Sequence, residues 1–138
     1  MKIYLAGPYR SRAQLQRFAA ELTALGFDVT SRWLEETHEI NAGTEGAAPA
    51  LPDAVVAAHA ETDLIDIEIS EALVLFTSAY VGVEGGGGRH VETGYAIARS
   101  KPVIVVGEPE NVFHRLSSGV HRVTDWAHAK DTLRRWAA

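Results

Sequence analysis

The 138-residue chain contains no cysteine. That excludes disulfides, thiol nucleophiles, iron–sulfur ligation and every cysteine-based zinc site. Cations are scarce too: 13 Lys and Arg against 18 Asp and Glu give a formal net charge of −5. Tracking a phosphate backbone takes clustered positive charge, so a nucleic-acid polymer is not an expected partner. Long apolar runs are missing, and none approaches the length of a membrane span. The opening run Ile3–Ala6 is broken by Gly7-Pro8 too early for a signal-peptide core, so a cytoplasmic protein is expected. Two phosphate fingerprints are also absent. Without G-x-x-x-x-G-K-[ST] or G-x-G-x-x-G, neither a P-loop ATPase nor a Rossmann dehydrogenase is indicated.

What remains is an ordinary globular composition, 46% apolar and 22% charged, long enough for one domain over residues 1–138. Strand and helix patterns alternate. Ile3–Ala6, Phe27–Thr30, Ala72–Phe76 and Pro102–Val106 read as strands, with His121–Thr124 a weak fifth. Ser11, with Gln14 three residues on, predicts a capping box. It opens a helix with apolar positions at Leu15, Phe18, Leu22 and Leu25, stopped by Gly26. A helix over 53–70 is expected to turn Leu64, Ile65 and Ile69 inward, and a short one covers Val91–Arg99. Asp125 caps a last helix with Trp126, Ala129, Leu133 and Trp136 on one face. The order predicts a single-domain, flavodoxin-like (Rossmann-like) α/β fold: an open parallel sheet of about five strands flanked by helices. Residues 35–52, rich in Gly, Ala, Pro and Glu, read as a mobile lid.

In such a sheet, ligands gather outside the carboxyl ends of the strands. Three loops belong there: 7–10, 77–89 and 107–111. The second carries four glycines, Gly85–Gly88, then Arg89-His90-Val91-Glu92-Thr93-Gly94-Tyr95. Glycines let a backbone approach a ligand closely, at an entropic cost on ordering. Glu92, placed where the loop becomes helix, is expected to stay ionised under the helix dipole. Asp63 and Asp66 share a helix face. Tyr9, Arg10 and Trp33 supply rings and a guanidinium suited to a base and a phosphate. His38 with Glu35, Glu36 and Glu39 lacks a recognised ligand spacing, so no metal is expected.

Three segments carry a family resemblance. They are Ile3-Tyr4-Leu5-Ala6-Gly7-Pro8-Tyr9, Asp63-Leu64 followed by the strand Leu73–Phe76, and Gly88-Arg89-His90-Val91-Glu92-Thr93-Gly94-Tyr95-Ala96. In order and spacing, over roughly the first three quarters of the chain, they resemble the nucleoside 2-deoxyribosyltransferases and their relatives, the (deoxy)nucleoside 5′-monophosphate N-glycosidases. The resemblance implies cleavage of an N-glycosidic bond in a 2′-deoxynucleoside or its monophosphate, with transfer of the sugar to another base or to water and no cofactor. It implies Glu92 as nucleophile, Tyr4 as the residue orienting it and Asp63 as an acid assisting the substrate. It places Gly7, Pro8, Tyr9, Arg10, Asp66, Gly88, Arg89 and His90 along the substrate, and it implies a homodimer or larger homo-oligomer. Trp126, Trp136 and the apolar 53–69 helix fit that assembly. The family's loop aspartate, six residues before the nucleophile, is Gly86 here, with Glu84 as a possible substitute. That departure keeps open an alternative, a non-catalytic nucleotide-binding or sensing module on the same fold.

Overall fold

The structure is a computed structural model and describes residues 1–36 and 51–138. Three strands form the centre: β1 (Lys2–Ala6), β3 (Ala72–Phe76) and β4 (Val103–Val106). β3 and β4 are apolar throughout and wholly buried, as strands covered on both faces must be. Two short strands flank them, β2 (Asp28–Val29) and β5 (Val120–Val123). All pairings are parallel and the order is β2-β1-β3-β4-β5. This is the flavodoxin-like order expected from the alternation of elements. Among the described residues no helix is long and apolar enough to cross a membrane.

One face of the sheet carries α1 (Arg12–Ala24) and α5 (Trp126–Ala137). Phe18 of α1 stacks on Phe76 at 5.0 Å and meets Trp126 at 4.8 Å, so these two helices and β3 share one aromatic cluster. Burying such a ring contributes about 2–3 kcal/mol. The other face carries α2 (Asp53–Ile69) and α4 (Gly88–Ala98), packed side by side. A four-residue helix, α3 (Ser78–Val81), follows β3 and ends at Gly82 in the left-handed region, φ 78°.

Four expectations need correction. Ser11 makes no side-chain cap; its hydroxyl donates to the Pro8 carbonyl at 2.6 Å, within a 3-10 turn over Tyr9–Ser11. Trp126 is 6% exposed and belongs to the core, so it offers no surface for assembly. α4 starts at Gly88, three residues before the predicted start, which sets Glu92 one turn inside the helix. On α2, Leu64, Ile65 and Ile69 face outward, 36%, 54% and 51% exposed, while Asp66 and Ile67 are buried. The helix is turned with carboxyls in and aliphatics out, the reverse of the usual amphipathic order. The predicted lid lies mostly outside the described residues; of it, Glu35 ends a 3-10 turn and Pro52 stands at the N-cap of α2.

Candidate active site

The inverted face of α2 looks towards α4 across a gap floored by β1. Tyr4, in mid-strand and 0% exposed, reaches out of the sheet and donates its hydroxyl proton to Glu92 Oε2. The two residues are 88 positions apart in the chain, and the sheet order brings them together. Burial pushes the Glu92 carboxyl up to about 8; the Tyr4 hydrogen bond opposes this and the Asp63 charge adds to it. The expectation that the helix dipole keeps Glu92 ionised is therefore wrong. One turn into the helix, desolvation outweighs the dipole, whose influence is confined to the first turn. Asp63 is raised to about 6, by burial first and then by the charges of Asp66 and Glu36. Tyr4 is raised well above its ordinary value by burial and by the Glu92 and Asp63 charges. At neutral pH Glu92 is thus mostly protonated and Asp63 mostly ionised. Ionising Glu92 at pH 7 costs about 1.4 kcal/mol, one pKa unit. A positive charge developing beside the two carboxyls would more than return it.

Asp63 and Glu92 open on a cavity of about 310 Å³, at the lower end of the range for small-molecule sites. Its lining includes Tyr9, Trp33, Val56, His59, Asp63, Gly88, Arg89 and Glu92. The Tyr9 and Trp33 rings lie 6.4 Å apart at 41°, forming one aromatic wall. Trp33 is fixed by its Nε1–H, which donates to the Leu5 carbonyl at 2.8 Å, and Tyr9 by its hydroxyl, which donates to the Glu36 carbonyl at 3.1 Å. Asp63, ten residues into α2, reaches this cavity. The cavity lies between the N-terminal halves of the two helices, and Tyr9 after β1 and Trp33 after β2 reach it, so it sits at the carboxyl edge of the sheet, where two of the three predicted loops contribute to it.

Several residues expected along the substrate stand elsewhere. Asp66 is 1% exposed and spent on Arg32, accepting from its backbone N–H at 3.0 Å and its Nε–H at 2.8 Å. Arg89 borders the cavity, but its guanidinium donates to Ser78 Oγ at 2.9 Å, to Glu110 Oε2 at 2.8 Å and to the Gly86 carbonyl. Its Nε has no partner among the described residues. Burial works to raise Glu110, yet the Arg89 hydrogen bond and charge hold its carboxyl below the usual range. His90 turns away from the cavity, its Nδ1 lying 3.3 Å from Asn111 Nδ2, and burial with the Arg89 charge holds it below the usual histidine range. Gly7, Pro8, Arg10 and Glu84 are not among the lining residues. Gly7 packs over Leu15, and a Cβ on Gly85 would sit 2.7 Å from Pro8 Cβ. That glycine is there so that two loops can touch, not so that a ligand can approach. No cluster of three or more metal-ligating side chains occurs among the described residues; His38 and Glu39 lie outside them.

Sequence reasoning missed His59, Val56 and Glu110. His59 had a signal: it precedes Asp63 by four residues and so shares its helix face. Glu110 had none, because its contact with Arg89 joins two loops.

No family model and no curated protein matches the sequence. Among solved structures, the chain is similar to the CMP N-glycosidase BcmB of Clostridium botulinum, with a TM-score of 0.58 and 18% identity over the whole of both chains. The chain has the fold of that N-glycosidase, which is the fold that its opening strand, Asp63 and glycine-loop segments imply.

Proposed function

We propose that the protein cleaves the N-glycosidic bond of a nucleoside or nucleoside 5′-monophosphate, with Glu92 as nucleophile. The observation that carries this is the Tyr4–Glu92 hydrogen bond facing Asp63 at the foot of an aromatic-walled cavity. The similar fold of an N-glycosidase named for CMP supports the class of substrate. In the proposed step a Glu92 carboxylate oxygen bonds to the anomeric carbon as the carbon–nitrogen bond breaks and its electron pair leaves with the base. The oxocarbenium-like intermediate state is stabilised by the carboxylates of Glu92 and Asp63. Tyr4 holds one Glu92 oxygen, leaving the other directed at the sugar. Water or a second base then takes the sugar from Glu92, making the protein a hydrolase or a transferase. In this reading the outward aliphatics Leu64, Ile65 and Ile69 of α2, with Val91 of α4, pair two copies of the chain.

Incubation with a panel of 2′-deoxy- and ribonucleosides and their 5′-monophosphates, with chromatography of free base, tests the proposal. Release of base from at least one member is expected; no release and no base exchange from any of them refutes it. The protonated state of Glu92 at neutral pH favours a second reading, a nucleotide-binding module without turnover. Binding that survives Glu92→Gln in a protein that turns nothing over would support that reading.

A further inference from the structure

A base leaving a sugar needs a proton, and among the described residues few groups around the cavity are able to give one. The Tyr9 and Trp33 donors are committed to the backbone carbonyls of Glu36 and Leu5. Arg89 is held by Ser78, Glu110 and Gly86, and a guanidinium does not release protons in proteins. Glu92 is the nucleophile of the proposed reaction. Among the described residues Asp63 and His59 remain.

Their positions differ. Asp63 acts electrostatically on both Tyr4 and Glu92, which places it at the sugar end of the cavity. His59 stands one turn earlier on α2, about 6 Å along the helix axis, on the same cavity wall as Val56 and opposite the polar foot. One helical turn is also the reach from an anomeric carbon to the distal edge of its base. His59 Nδ1 lies 3.1 Å from Glu36 Oε1, with both side chains 28% exposed. A carboxylate accepts and cannot donate, so Nδ1 carries a proton and the ring turns Nε2 to a ligand. Glu36 is itself pinned, through its carbonyl, by the Tyr9 hydroxyl. Ring, carboxylate and aromatic wall therefore form one unit.

We infer that His59, oriented by Glu36, is the proton donor to the departing base, so that the substrate is a nucleoside whose base carries a basic ring atom or carbonyl on its distal edge. This rests on the N-glycosidase reading above. As the carbon–nitrogen bond breaks, the imidazolium Nε2 proton passes to the base, which leaves neutral, while Glu92 takes the sugar. The ring, now neutral, still donates from Nδ1 to Glu36. When water attacks the anomeric carbon, the Glu92–sugar bond breaks and its electron pair returns to the carboxylate. The proton of that water passes to Nε2 through a second water standing where the base has left, which restores the ring. Asp63 stays ionised throughout as a partner of the sugar cation. His59 thus touches substrate; Glu36 is a positioning residue.

The test compares leaving groups. The parent protein, His59→Gln and Glu36→Gln are assayed on the best substrate of the panel and on the 4-nitrophenyl glycoside of the same sugar, whose phenolate leaves without a proton. His59→Gln is expected to lower kcat on the nucleoside or nucleotide by at least about 100-fold, and on the nitrophenyl glycoside by no more than about threefold. Glu36→Gln should show the same split, smaller in size. Thermal denaturation checks that each variant is folded; both side chains are partly exposed. Equal losses on the two substrates, or no loss on either, overturn the inference while leaving the N-glycosidase reading intact. A parent that cleaves only the nitrophenyl glycoside also overturns it. A parent that cleaves neither refutes the underlying reading, and the inference with it.

Discussion

Replacing Glu92 by Gln should stabilise the protein, and by an amount that grows with pH. In the fold the Glu92 carboxyl titrates at about 8, against an ordinary value of 4.5. The folded state therefore holds this proton more tightly than the unfolded chain does. Below the unfolded value both states are protonated and the shift contributes its full stability. As pH rises towards the folded value, the unfolded chain gives up its proton while the fold keeps it, and stability falls by about 1.4 kcal/mol per unit. By pH 9 the loss amounts to about 5 kcal/mol as an upper figure, a large part of the roughly 5–15 kcal/mol that a small domain has. Gln keeps the shape, still accepts from the Tyr4 hydroxyl and carries no charge to desolvate. Guanidinium unfolding of parent and Glu92→Gln at pH 5, 7 and 9 measures the difference. Near pH 5 the two should be close. At pH 9 the variant should be more stable by about 2–5 kcal/mol, the lower figure allowing for relaxation around the anion. A difference that is flat in pH, or a variant less stable at pH 9, would refute a desolvated carboxyl at this position. The same substitution should remove catalysis, since bond formation to the sugar needs the anion.

Three further outcomes follow from the same geometry. The acidic limb of kcat/KM should fall near the Glu92 value; Asp63→Asn removes a charge that raises it and should move the limb to lower pH, whereas Tyr4→Phe removes a hydrogen bond that lowers it and should move the limb to higher pH, as read from pH–rate profiles. Glu110→Gln strands the 7%-exposed Arg89 guanidinium without its countercharge and should cost about 3 kcal/mol in denaturant unfolding, a loss that Arg89→Met in the same chain partly recovers. Ile65→Glu on the outward face of α2 should convert a dimer to a monomer in light scattering without lowering monomer stability, because Ile65 is already 54% exposed.

The strands, their parallel order and the helices between them were legible because the signals are local: apolar runs at Ala72–Phe76 and Pro102–Val106, and Gly26 after a periodic stretch. The placing of the candidate centre was legible through resemblance: Tyr4 meets Glu92, and Asp63 lines the same cavity within reach of their charges. The rotation of α2 was not legible. Hydropathy turns Leu64, Ile65 and Ile69 inward, and tertiary packing set Asp63 and Asp66 there in their place. Nor was the fate of Arg89 legible. A guanidinium beside a glycine loop reads as an anion ligand until Glu110, from a different loop, is seen to neutralise it. The charge state of Glu92 failed for a related reason: the sequence shows a carboxylate near a helix start, but not what covers it.

Covalent capture of the sugar tests the central claim most directly. A reaction with the best substrate of the panel, quenched in acid within the first turnover and digested for mass spectrometry, should yield a peptide containing Glu92 heavier by one dehydrated sugar. The same peptide from Glu92→Gln should be unmodified, and that variant should release no base. Base release at near-parental rate by Glu92→Gln, or the adduct on a peptide lacking Glu92, would contradict the account.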